Sequence, residues 1–310
     1  MSHSAREIER EFEMMKQRMT RTAGCAVMVA AMALACLPTF AQQAMSAGNA
    51  MPTEQPKGKA FAKPSDAAAA LYAAARRNDD ADLLVILGPD AKELVKWSDD
   101  ANERREHRAQ FVQKYDQMHR LTREPDNTVA LYVGAENWPL PIPIVEYKRA
   151  WYFDADLGKQ EIRYRRIGRN EVEALDVCRA LVDAEKEYYA NAHAYTAKFI
   201  SAHDAHDGLY WKSSSDGGRS PIGPYLAHAG VEADGGNGEP FHGYYYRVLL
   251  QGAEGFAVVA YPAIYRSSGV MSFIMNSDGT PQEKDLGEQT ATAAKQMSST
   301  HPDDSWKKVE

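Results

Sequence analysis

The segment from Phe241 to Gly279, FHGYYYRVLLQGAEGFAVVAYPAIYRSSGVMSFIMNSDG, constrains the fold more than any other part of the chain. Tyr244–Leu250, Phe256–Tyr261 and Val270–Asn276 are rich in β-branched and aromatic residues, as strands are. The first two runs are separated by the five residues Gln251–Gly255, and the second and third by the wider connection Pro262–Gly269. Connections this short favour antiparallel neighbours, so a three-stranded meander is expected. None of the three runs carries an evident catalytic group, which marks them as a built surface and not a reaction centre.

A sheet of this kind needs a cover, and the preceding sequence supplies one. Ala174, Val177, Leu181, Ala184 and Tyr188 recur at helical spacing, flanked by Leu175, Cys178 and Val182, and form a wide apolar stripe. Asn170, with Glu173 at the capping-box position, is read as the start of this helix, which runs to about Ala192. An earlier helix is read from Leu157 to Ile167, stopping at Gly168. Cys178 on the stripe reads as a small buried hydrophobe and not as a nucleophile. A last helix, about Glu288–Met297, precedes a polar tail at 301–310.

The upstream region has its own alternation of elements. Ser65 and Asp66 can cap a first helix, Asp79 or Asp80 a second that stops at Gly88-Pro89, and Asp100 a third with Glu103 at the box position. Thr128–Val133 reads as a strand. In Trp138-Pro139-Leu140-Pro141-Ile142-Pro143-Ile144, proline at every second position removes donors from one edge, while Leu140, Ile142 and Ile144 share a face. That predicts an edge strand, followed by Val145–Tyr147, a Lys148-Arg149 turn and Ala150–Phe153. Asp154-Ala155-Asp156 reads as a helix cap in preference to a cation site.

The 310 residues allow two ordinary domains. The expected division is a leader and signal peptide at 1–41, a linker at 42–60, a helical and antiparallel-sheet domain at 61–168, and a helix-plus-meander domain at 169–300. The overall class is α+β. Arg18 and Arg21 precede the apolar run Ala23–Leu37, which is too short for a confident membrane span, with a small residue at the exit; cleavage is expected after Ala41. An exported, periplasmic location follows, with a lipoprotein anchored through Cys36 as the alternative. Residues 1–41 hold five of the 36 Lys/Arg and four of the 43 Asp/Glu, so about −8 of net charge remains after processing. An acidic balance disfavours nucleic acid as partner. Processing would also leave Cys178 as the lone thiol, without an intrachain disulfide.

Chemistry-bearing motifs are few. The chain has no G-x-S-x-G, H-E-x-x-H, C-x-x-C or G-x-x-x-x-G-K. His203, Asp204, His206 and Asp207 form the densest metal-capable group, within the long Gly-rich segment 201–240; a divalent metal there is one reading, and no cofactor the other. Tyr210, Trp211 and Tyr225 are candidate contact residues for a binding surface, and Tyr244-Tyr245-Tyr246 either join them or fill the core. The cluster Arg163, Arg165, Arg166 and Arg169 reads as a solvated helix face pairing with nearby Glu residues, or as an anion site.

Three resemblances rest on these segments. Helices followed by an antiparallel sheet with a Trp-bearing hairpin, over 61–154, resemble nuclear-transport-factor-like cones. The helix and meander ending in N-x-D-G, over 169–298, look like the globular part of type IV pilins and pseudopilins, but without their apolar N-terminal helix half. WPLPIPIV, RRIGRNE, DGLYW, FHGYYYR, VAYPAIYRSSGVMSFIMNSDG and KDLG together resemble a family of exported bacterial proteins, the domain of unknown function DUF2950. That resemblance implies relatives and no activity. A non-catalytic cell-envelope module that binds a partner protein or surface polymer is therefore expected. A hydrolase or small-ligand enzyme with His119, Trp138 or Trp151 in a first-domain pocket is the alternative, and a His203/His206 metal protein a further one.

Overall fold

The computed structural model describes residues 55–203, 205–212, 219–230, 238–252 and 255–309. The expected signal peptide, Cys36 and most of the linker lie outside the described residues, as does Asp204. The chain forms two compact units that divide between Arg165 and Arg166. Both are α+β, each built around an antiparallel sheet.

In the first unit, α1 (Pro64–Arg77) starts on Pro64 at its first turn; Lys63 precedes it without a side-chain cap, so neither Ser65 nor Asp66 caps the helix. Proline suits that position because its missing N–H would be unpaired there anyway. Asn78, in the left-handed region, closes α1. Asp79 then caps α2 (Asp80–Leu87), accepting from the N–H groups of Ala81 and Asp82 at 3.0 Å each. A short α3 (Lys92–Val95) leads to α4 (Ala101–Gln117). Asp100 caps α4 through Asn102 N–H at 2.8 Å, and Glu103 accepts from the Ser98 hydroxyl at 2.7 Å.

The sheet of this unit comprises β1 (His119–Arg123), β2 (Val129–Val133), β3 (Trp138–Pro139), β4 (Ile144–Tyr147) and β5 (Ala150–Phe153). Its order is β1-β2-β4-β5, with β3 also paired to β2. The proline-rich stretch is not one edge strand: β3 is two residues long, Leu140 N–H still donates to Leu131 O at 2.7 Å, and regular strand resumes only at Ile144. Pro141 and Pro143 have no N–H to offer the ladder. The shared face of the stretch is nonetheless real, because Leu140, Ile142 and Ile144 all pack into one cluster with Phe61, Leu71, Ile86 and Phe153. β1 is an element that sequence patterning did not reveal. The β4–β5 turn places both Lys148 and Arg149 at positive φ, 49° and 65°, the handedness that a tight hairpin requires.

The long helix α5 (Ala155–Ala192) runs without interruption for 38 residues across the division between units. Asp154 caps it, its Oδ1 accepting from Asp156 and Leu157 N–H at 3.1 and 3.0 Å. The expected stop at Gly168 does not occur. Glycine in a helix costs only about 1 kcal/mol relative to alanine, and the residues beyond it are committed to packing. Asn170, read as a new cap, sits within the helix and spends its side chain elsewhere.

In the second unit, α5 is followed by a long loop segment with α6 (Pro224–His228), then β6 (Tyr244–Gln251), β7 (Gly255–Pro262) and β8 (Met271–Asn276). The meander is five-stranded and not three-stranded. β9 (Pro281–Asp285) pairs with β8, and β10 (Lys307–Lys308) pairs with β9, giving the order β10-β9-β8-β7-β6. Both faces of this sheet are covered. On one, Tyr244, Tyr246, Val248, Phe256, Val258, Phe273 and Met275 pack with Ala174, Val177, Cys178 and Leu181 of α5. On the other, Leu249, Val259, Tyr261 and Ile274 pack with Ala294 of α7 (Thr290–Gln296) and with Trp306. Within the stretch 301–310 read as a polar tail, the described residues thus anchor through the Trp306 indole, which is 9% exposed. Each aromatic ring buried here contributes roughly 2–3 kcal/mol of apolar transfer free energy. Tyr244 and Tyr246 are core residues, both fully buried.

Candidate functional site

The loop that leaves α5 gathers most of the residues that sequence marked for binding. It is a built structure. Leu209 N–H donates to Lys198 O at 3.0 Å and Tyr210 N–H to Phe199 O at 2.8 Å, while Ser201 N–H donates to Tyr210 O at 2.8 Å. Thr196 bridges the base of the loop, its hydroxyl donating to Asp207 O at 2.8 Å. Aromatic rings decorate this frame. His206 stacks on Trp211 at 4.6 Å between centroids, Tyr189 stacks on Tyr195 at 4.6 Å, and Tyr195 leans on Phe256 of the core at 4.7 Å. Tyr210 and Trp211 are half-buried, whereas Tyr189 and Ile200 are exposed.

Below these rings lies a carboxyl that sequence reasoning passed over. Glu185 of α5 is fully buried. Its Oε2 accepts from Thr196 N–H at 3.2 Å, and its Oε1 has no hydrogen-bond partner among the described residues. Burial pushes its carboxyl up to about 8, against the weaker pull of the Thr196 N–H. A lone Glu in the apolar stripe of α5, between Ala184 and Tyr188, was the available signal.

The metal-capable residues are arranged less tightly. His203 and His206 are both exposed, and His206 is at positive φ, 48°. Asp207 pairs with Lys198 and also accepts from Ala202 N–H at 2.8 Å; the Lys198 ammonium chiefly holds its carboxyl below the usual carboxylate range. Among the described residues no three His, Cys, Asp or Glu side chains group so as to hold a metal ion. Tyr225, in α6, is half-buried and packs against the core of the second unit.

At the other end of the helix segment in this unit, three sequence motifs meet. Arg166 and Asn170 of RRIGRNE donate to Ser267 O and Ser268 O at 3.0 and 2.8 Å. Glu171 accepts from Val270 and Met271 N–H at 2.9 and 3.0 Å, and burial raises its carboxyl. Glu173 pairs with His242 of FHGYYYR at 2.8 Å. The adjacent Gly243 has φ +76°, and a Cβ there would lie 2.5 Å from Asn170 Nδ2. The motifs RRIGRNE, FHGYYYR and YRSSGVM are therefore one junction that fixes the β7–β8 connection to α5. Cys178, a turn and a half further along, is fully buried, and burial pushes its thiol up to about 12, so it is inert.

The first unit carries an open cleft of about 480 Å³ lined by Arg77, Asn78, Asp80, Arg104 and Arg108 among others. Arg108 is engaged with Asp80 at 2.5 Å, Asn78 Oδ1 at 2.6 Å and Val95 O at 3.1 Å, and Arg77 with Asp82, while the buried Nε of Arg104 has no hydrogen-bond partner among the described residues. This arrangement ties the α1–α2 turn to α4. His119, Trp138 and Trp151 do not line the cleft. His119 stacks on Tyr115 at 3.8 Å, Trp138 is exposed, and Trp151 is 9% exposed in the core. Of the arginine cluster on α5, Arg165 pairs with Glu161 at 2.7 Å and lies over the Trp138 ring.

A family model described as "Protein of unknown function (DUF2950)" matches residues 58–309. No curated protein and no solved structure matches the chain. The match takes in both sheets, the long helix and the three-motif junction, and the chain accordingly belongs to the DUF2950 family.

Proposed function

We propose that this protein is an exported, non-catalytic binding module of the cell envelope, which engages a partner protein or surface polymer through the aromatic loop 195–211. The observation that carries this reading is the stacked His206–Trp211 pair on a loop held by its own backbone hydrogen bonds. Rings fixed in advance lose little conformational entropy on binding, and aromatic side chains supply large amphipathic contact areas. Tyr210, Tyr189 and Ile200 extend the same surface. The apolar run Ala23–Leu37 with its basic flank supports export.

The test is a photo-crosslinking residue placed at the exposed Lys212, beside Trp211, in intact cells of the native host. A discrete envelope adduct, absent when the same residue replaces Gln282 on β9, is expected. Equal labelling from both positions, or retention of the protein in the cytoplasm, would overturn the reading.

A further inference from the structure

We propose that Glu185 is a proton-dependent latch: in its neutral form it seats the 196–210 loop against α5, and loss of its proton releases that loop. The loop is seated on α5 by the buried side chains of Phe199 and Leu209, by the Tyr188 hydroxyl donating to His206 O at 3.3 Å, and by one buried carboxyl, the attachment that ionisation can change. Glu185 is 0% exposed, and one of its oxygens receives the Thr196 N–H while the other has no partner among the described residues. Thr196 is itself buried, and it is the residue from which the loop is strung. Its hydroxyl donates to Asp207 O at 2.8 Å and accepts from Lys198 N–H at 3.1 Å. An ionised carboxylate in this position is desolvated with one hydrogen bond, which is costly in an apolar surround. Opening the loop would return the carboxylate to water, so ionisation and opening favour one another.

The neighbouring groups leave Glu185 as the group that changes state. On its own helix Tyr188 couples to it, and farther along the same core stand Cys178, Tyr244 and Tyr246. Burial raises all four, so they remain neutral across the relevant range. The hydroxyls of Tyr244 and Tyr246 also donate to Met271 O and Phe241 O. From the loop come Lys198 and Asp207, paired with each other, and Asp207 stays ionised because Lys198 lowers it. His203 and His206 are exposed. Burial places the ionisation of Glu185 at about 8 in the closed loop. In an open loop it returns to the ordinary range of ~4.3 for a glutamate.

Amide hydrogen exchange of the full chain, corrected for the intrinsic effect of pH, provides the test. For the Thr196, Leu209 and Tyr210 amides the opening constant should rise by up to about tenfold per pH unit between roughly pH 5 and 8, then level off. Glu185→Gln keeps both histidines and the Lys198–Asp207 pair, and it should abolish the rise. A pH-independent opening constant in the wild type, or the same rise in Glu185→Gln, would overturn the proposal. Should Glu185→Gln not fold, the carboxyl ¹³C resonance of Glu185 in the wild type decides. A midpoint near 8 is expected, and one in the ordinary carboxylate range overturns it.

Discussion

Two loops of the second unit are each held by a glutamate of α5, and the two attachments differ in kind. Glu171 holds the β7–β8 connection with one oxygen that accepts two backbone N–H groups, at 2.9 and 3.0 Å, beside Asn170 and Arg166, which add three further hydrogen bonds to Ser267 and Ser268. Glu185 holds the aromatic loop through one N–H at 3.2 Å, in complete burial. Burial raises both carboxyls, and hydrogen bonds to the charged form oppose it, two at Glu171 against one at Glu185. The junction at Glu171 is a fixed structural clamp, while the attachment at Glu185 is conditional on a proton. Two carboxylates on one helix thus acquire different roles from their surroundings alone.

The largest expected effect probes the conditional attachment. The folded protein retains a proton on Glu185 that the unfolded chain releases above ~4.3, so stability is highest below that pH and falls as pH rises toward about 8, then levels. At ~1.4 kcal/mol per unit, the loss for this group approaches roughly 4 kcal/mol over the window. Urea unfolding monitored on the second unit at pH 5 and pH 8.5 should show it, and Glu185→Gln should flatten the difference. Equal pH dependence in both proteins would place the titration on another group.

A smaller loss should follow from breaking the fixed clamp. Glu171→Ala strands the N–H groups of Val270 and Met271, at a cost of about 3 kcal/mol in urea unfolding. The smallest effect on stability should come from the loop surface. Tyr210→Ala with Trp211→Ala removes half-buried rings and should cost roughly 1 kcal/mol or less, while eliminating the envelope adducts formed by a photo-crosslinking residue at Lys212. Loss of the fold instead would show the rings to be core elements and break the contrast between frame and surface.

Much of this architecture is legible in local pattern. The strand 255–262 declares itself because both of its faces are buried, which makes it a continuous apolar run, and 244–251 does so by its aromatic and β-branched residues with burial alternating along its first half. β9, with the sequence PQEKD, escapes notice because an edge-proximal strand between half-buried faces needs no apolar signature. β10 is too short to carry a pattern, and the indole of Trp306 beside it is the clue that the C-terminal residues are tied down. Gly168 and Asn170 imitate a helix boundary. Their neighbours in space, Ser267, Ser268 and Gly243, reveal that Asn170 is a tertiary contact and not a cap. At the candidate site, Tyr210 and Trp211 were found by residue type, whereas Glu185 was not, because a glutamate within a helix is ordinarily solvated.

The sequence by itself determined the α+β class, the antiparallel order of β6–β8, the apolar stripe of α5 and the family, since all of these follow from short-range periodicity and from segments legible one at a time. Tertiary structure alone decided which polar residues matter. Arg166, Asn170 and Glu171 became partners of a connection about a hundred positions away, and Glu185 became a buried acid only because the 196–210 loop folds over it. The reason is electrostatic: a carboxyl's ionisation depends on the water and hydrogen-bond donors within a few ångströms, and long-range contacts set both. The run from Phe241 to Gly279 supplies the frame on which those contacts are placed.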